Sequence, residues 1–233
     1  MTEEEWLTSA SPDPMLPLLG GGERKLRLFA CACCREAWNV FVPPFVIRMV
    51  TAVEAFADGS LGPRGLEHIS TAAERAAEAA AREAAHDDSG YLAHVARAAF
   101  GAAHSHAATA AKVAHGASAL AAADAPATII DGPLGGRTGR TDYEAELAAQ
   151  ADLLRDIFGN PFRSVEFHLE WFTSDVLALA RGIYADRAFD RMPILADALQ
   201  DAGCDDDDIL THCREPREHA RGCWVVDLLL GKK

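Results

Sequence analysis

Apolar residues recur every three or four positions along most of this chain, the stripe of an amphipathic helix. From Glu23 to about Phe41 the positions Leu26, Phe29, Cys33, Ala37 and Val40/Phe41 repeat this way, and Pro43-Pro44 closes that helix and opens the next. Phe45, Met49, Val53 and Phe56 carry a second stripe, stopped by Asp58-Gly59. Ahead of both, Thr2-x-x-Glu5 has the spacing of a capping box, so a short helix is expected to start the chain. Pro12, Pro14 and Pro17, followed by Gly20-Gly21-Gly22, then mark an irregular connection.

The middle of the chain changes character. From about 70 to 127 alanine dominates, and Thr71 to Ala85 has near-maximal helix propensity. Asp87-Asp88-Ser89-Gly90 breaks that helix, and a second is expected from about Tyr91 to Ala123. Glu78–Arg82 is an i,i+4 pair on the wet face. Residues 131–140, rich in glycine, read as a loop. Thr141-x-x-Glu144 is a second capping box, opening a helix that carries Leu147, Leu153, Leu154, Ile157 and Phe158 and stops at Gly159-Asn160-Pro161. Thr173 and Ser174 cap another helix, a further one runs from about Arg191 to Asp201 with Gly203 beyond its end, and a last apolar segment runs from Gly222-Cys223-Trp224 to Gly231.

No alternating strand of useful length occurs, so the expected class is all-α. The expected architecture is a single helical domain over 1–233. Its core would come from 1–60 plus 141–233, with an alanine-rich helical hairpin (about 66–127) between them, projecting or lying along that core. Expected core anchors are Leu26, Phe29, Cys33, Trp38, Phe45, Met49, Phe56, Leu154, Ile157, Phe158, Leu177, Ile183, Tyr184, Leu195, Leu199, Trp224 and Leu228.

Composition narrows the function classes. The 233 residues are 49% hydrophobic and 24% charged, the balance of a folded protein rather than a disordered one. With 22 Lys+Arg against 35 Asp+Glu the formal net charge is −13, which argues against a general nucleic-acid binder. The N-terminus lacks the basic and apolar regions of a signal peptide, and no apolar run is long enough to span a bilayer. Six cysteines, three of them crowded at Cys31, Cys33 and Cys34, do not resemble a disulfide framework. The expectation is a cytoplasmic protein with reduced thiols.

Five blocks at the two ends of the chain carry a resemblance: KLRLFACACCREAW (25–38), LLRDIFGNPFR (153–163), LARGIYADRAFDRMPILADALQDAGC (179–204), ILTHCR (209–214) and RGCWVVDLLLGK (221–232). Together they resemble an uncharacterised paralogous family abundant in large planctomycete genomes. The similarity covers roughly the first 60 and last 90 residues, and the alanine-rich middle matches in composition alone. The resemblance implies a cytoplasmic bacterial protein, sometimes part of larger regulatory chains. It implies no reaction, cofactor or catalytic residue.

Candidate chemistry begins with the thiols. Cys31 and Cys34 have C-x-x-C spacing and share a helix face, so they could supply two ligands to zinc. The other ligands would come from the C-terminal segment, from Cys204, His212, Cys213, His219 or Cys223, with His212, Cys213 and Cys223 the expected set. The competing reading is that these cysteines are buried small hydrophobes. His86-Asp87 is the dyad an HD-type phosphohydrolase would use to hold metal, set against a solvated helix end. His104 and His115, eleven residues apart, would share a face of one helix about 16 Å apart, too far for one ion. Asp205 to Asp208 lack the order of a calcium loop and suit a first helical turn. The glycine-rich loop has two arginines but not the lysine of a P-loop.

No G-x-S-x-G or H-E-x-x-H is present. These observations favour a non-catalytic helical module that acts through a protein partner, in interaction or regulation, without catalytic residues or nucleic acid. A zinc-stabilised domain built on Cys31/Cys34 and the C-terminal Cys/His residues, and an HD-like hydrolase, are the alternatives.

Overall fold

The structure, a computed structural model, describes residues 1–20, 22–36, 44–84, 90–104, 106–123, 140–166 and 168–232. Among them are eleven α-helices and no strand. The helices are α1 (Glu3–Thr8), α2 (Glu23–Glu36), α3 (Pro44–Ala57), α4 (Pro63–Ala84), α5 (Gly90–Ala102), α6 (Ala107–Ala123), α7 (Arg140–Phe158), α8 (Ser174–Asp186), α9 (Met192–Asp201), α10 (Asp207–Arg214) and α11 (Trp224–Leu230). The all-α class is as expected. No helix among the described residues is long and apolar enough to cross a membrane.

Local chemistry sets most of the helix ends. Thr2 and Glu5 form the reciprocal capping box of α1. Pro44 and Pro63 stand at the first positions of α3 and α4, where a missing N–H costs nothing. Thr173 caps α8 by accepting from the Val176 N–H. Asp206 caps α10 by accepting from the Ile209 N–H, and Asp207 and Asp208 fill the first turn, so the acidic run is a helix start. Gly231 ends α11 with a left-handed φ of +64°.

Two helix boundaries differ from the sequence reading. α7 begins at Arg140, placing the expected cap Thr141 inside it. The helix expected from about Tyr91 to Ala123 is two helices, the first ending at Ala102 and the second starting at Ala107. There the His106 N–H donates to the His104 ring at 3.2 Å instead of continuing the ladder. Arg27 donates to the freed His104 carbonyl at 2.6 Å. His104 and His115 therefore do not share one helix.

The chain divides into two compact units, Met1–Ala151 and Asp152–Lys233. In the first unit, buried residues of α2 and α3 (Ala30, Cys31, Cys34, Val46, Met49, Val50, Val53) join Ala73, Val95, Ala98, Ala99, Ala102, Ala110, Ala114, Ala117 and Ala121 in one apolar cluster. The alanine tract was expected to project from the core or lie along it. Instead it forms part of this cluster, with α6 packed on both α2 and α5. Alanine buries little area per residue, and its stabilising effect here comes from close helix approach. Polar ties add to it: Arg35 makes a two-pronged pair with buried Glu54 at 2.8 and 3.0 Å, linking α2 to α3. Ser118 of α6 donates to the Cys33 carbonyl, while Gln150 of α7 donates to Glu146 and to the His115 carbonyl.

The α5–α6 contact is tight enough to make a prediction. A Cβ placed on Gly101 would lie 2.7 Å from Val113 Cγ1 and 2.9 Å from the Ala114 backbone nitrogen, whereas one on Gly116 meets nothing within 4 Å. Gly101→Val is expected to cost about 1–3 kcal/mol by overpacking. Gly116→Ala is expected to stabilise by about 0.5–1 kcal/mol, because it removes a helical glycine. Urea unfolding midpoints of the two variants check the opposite signs.

The second unit has its own core, in which Val176, Ala180, Ile183, Tyr184, Met192, Leu195, Leu199, Ile209, Cys213, Cys223, Val225, Val226 and Leu229 are buried together. α8 packs on α9 and α11, and α9 on α10. Of the expected anchors, Phe45, Phe56, Phe158 and Leu177 are only partly buried. Leu228 is 41% exposed, while Val225, Val226 and Leu229 of the same helix are buried. Trp38 lies outside the described residues.

Candidate metal centre

Four side chains of the second unit come together. Asp156 stands in the last turn of α7, His212 in α10, His219 in the connection that follows, and Cys223 at the N-cap of α11. One ligand atom from each lies within 4.8 Å of every other. Asp156 Oδ1 is 2.6 Å from His219 Nδ1 and 3.2 Å from His212 Nε2, and the same His212 Nε2 is 3.2 Å from Cys223 Sγ. The two rings meet edge to face with centroids 5.0 Å apart, and the Trp224 ring lies 5.2 Å from that of His212. Asp156 and Cys223 are fully buried, and the two imidazole side chains are 6% and 4% exposed.

Folding concentrates these groups for identifiable reasons. Asp156 sits on the buried side of α7 with Leu153, Leu154 and Ile157. A carboxylate there opposes the helix dipole and loses its water, so it needs partners. The Ala220 N–H supplies one by donating to Oδ2 at 2.8 Å, which leaves Oδ1 turned toward the imidazoles. Burial pushes the Asp156 carboxyl up, but hydrogen bonds and charge from His212 and His219 outweigh it and hold the group at about 2. Burial pushes the His212 imidazole down, toward the neutral form that ligates metals. Burial, then the Asp156 charge, push the Cys223 thiol well up. The N–H groups of Val225 and Val226 oppose that rise without reaching the geometry of a cap hydrogen bond.

The arrangement discriminates between chemistries. In a Cys-His-Asp catalytic triad the thiol and the carboxylate face opposite ring nitrogens. Here both face Nε2 of His212, which is not the triad arrangement. A fully buried thiol also has no path to a substrate. A tetrahedral ion takes four donors at about 2.0–2.3 Å, and four donor atoms within 4.8 Å of one another are close enough to reach one ion. Sulfur and nitrogen donors suit zinc and neighbouring transition metals, and not calcium or magnesium. This buried Asp/His/His/Cys group could therefore hold a metal.

The expected ligands are distributed as follows. His212 and Cys223 are in the group. Cys213, next to His212, is outside it: its side chain is buried in the apolar core, and burial pushes its thiol up to about 12. Cys204 is another buried thiol of that core. Cys31 and Cys34 lie on α2 in the core of the first unit, with Cys31 Sγ 3.8 Å from the Val50 carbonyl and the Cys34 thiol pushed up to about 12 by burial. All six cysteines are free and buried. The His86-Asp87 dyad and residues 131–139 of the glycine-rich loop lie outside the described residues.

Asp156 was not among the expected ligands. The signal for it was a lone acidic residue inside the apolar stripe Leu153, Leu154, Ile157, near a helix C-terminus where acids are disfavoured. Comparisons with family models, with curated proteins and with solved structures find no match to this chain.

Proposed function

We propose that the second unit is a zinc-stabilised, non-catalytic helical module, with its ion held by Asp156, His212, His219 and Cys223. The observation that carries this reading is the convergence of the Asp156 carboxylate and the Cys223 thiol on a single nitrogen of His212, with His219 Nδ1 on the same carboxylate oxygen, so that four donor atoms lie within 4.8 Å of one another. Four buried protein ligands fill a tetrahedral shell, leaving no position for a substrate water, the mark of a structural site. Ala220 holds the second oxygen of Asp156 and so makes that carboxylate a one-oxygen ligand. A closed site of this kind supports a role in binding or regulation through a protein partner rather than in turnover.

The test is elemental analysis of the purified chain, as isolated and after dialysis against zinc. One zinc per chain is expected. Cys223→Ser should lose it, while Cys34→Ser and Cys213→Ser, which alter buried thiols outside the group, should keep it. A wild-type chain that takes up no metal, or a Cys223→Ser chain that retains a full equivalent, overturns the reading.

A further inference from the structure

We infer that the ion acts as a reversible clasp on the connection between α10 and α11: its removal frees residues 215–222 and leaves the helices of the second unit folded. This rests on the metal reading above. The connection runs mostly along the surface. From Arg214 to Arg221 the residues are exposed or half-buried as wholes, and His219 turns its side chain inward, 4% exposed, onto the site. Glu215, Glu218 and two arginines face solvent wholly or in part, and Pro216 has no N–H to donate. The regular backbone bonds of α10 end where Glu215 donates to Thr211, and those of the next helix begin from Cys223. Between them lie only the short turns Arg217 to Glu215 and Cys223 to Ala220.

The tethers of this stretch point to the site. His219 Nδ1 and the Ala220 N–H both reach Asp156, at 2.6 and 2.8 Å, and Cys223 reaches His212. Arg221 also stacks 4.6 Å over the Tyr184 ring, Arg217 pairs with Glu215 within the segment, and the His219 and Phe189 rings lie 6.4 Å apart. The helices on either side have independent support. α10 is capped by Asp206 and buries Ile209, Leu210 and Cys213, and α11 buries Val225, Val226 and Leu229. An ion that draws His219 and Cys223 onto Asp156 and His212 therefore orders a segment that lies mostly at the surface and has no regular secondary structure. Such segments open first in native proteins.

Backbone hydrogen exchange on the full chain tests this in three samples: zinc-loaded, chelated, and chelated then reloaded. The zinc content of each is measured in parallel. The expected result is exchange about tenfold or more faster across 215–222 in the chelated sample, reversed on reloading, with α8 and α9 unchanged. If zinc binds and 215–222 exchanges at the same rate with and without it, the clasp is overturned and the metal site stands. If zinc binds and its removal strips protection from α8, α9, α10 and α11 together, the ion supports the whole unit, and the clasp is again overturned. If no sample takes up zinc, the metal reading fails and the clasp fails with it.

Discussion

Asp156→Ala is expected to abolish stoichiometric metal binding and to lower the stability of the folded chain by about 3–5 kcal/mol, the usual cost of removing one partner from a buried ionic group. The carboxylate is the hub of the site. It faces His219 Nδ1, faces His212 Nε2 and accepts from the Ala220 N–H, with no exposed surface of its own. Alanine leaves those groups without their acceptor in a region closed to water, and each buried unsatisfied donor costs about 1–3 kcal/mol. The ion loses a ligand as well, so its affinity should fall by more than the roughly 10–100-fold seen when only an outer-shell partner is removed. Zinc titration and a denaturant midpoint measure the two effects. An unchanged midpoint would show that the hub has no structural role.

The second large effect is expected at Phe29. Every residue of α2 from Leu26 to Cys34 is buried, so this helix has protein on all sides, and Phe29 has no exposed surface. Phe29→Ala removes a ring from a position that solvent does not reach. Close-packed surroundings relax only partly into such a void, and the expected cost is about 3–5 kcal/mol. Urea unfolding measures it, and a loss below about 1 kcal/mol would mean that α2 is not the central helix its burial implies.

Local signals in the sequence were read well because they are local. The Thr2–Glu5 box, the Asp58-Gly59 stop, the Thr173 cap and the acidic start of α10 each depend on a few neighbouring residues, and all are where the spacing placed them. The break between Ala102 and Ala107 was invisible to periodicity, since it goes with a histidine ring bonding two residues ahead and with Arg27 reaching across 77 positions. Alanine misled for a related reason. A run with high intrinsic helix propensity looks self-sufficient, whereas here its small side chains let helices approach closely enough to form a core.

At the candidate site, His212 and Cys223 were legible as donor types near the C-terminus. Their partner Asp156 lies 56 and 67 positions upstream on a helix whose pattern reads as core, and only folding sets it against them. The crowded thiols Cys31, Cys33 and Cys34 drew attention by their spacing, yet in the structure they are buried in the first unit.

X-ray absorption at the zinc edge of the loaded protein tests the central claim most directly. The predicted shell has one sulfur at about 2.3 Å and three nitrogen or oxygen atoms at about 2.0–2.2 Å. A shell with two or more sulfurs, or one of oxygen alone, would contradict the ligand set of Asp156, His212, His219 and Cys223.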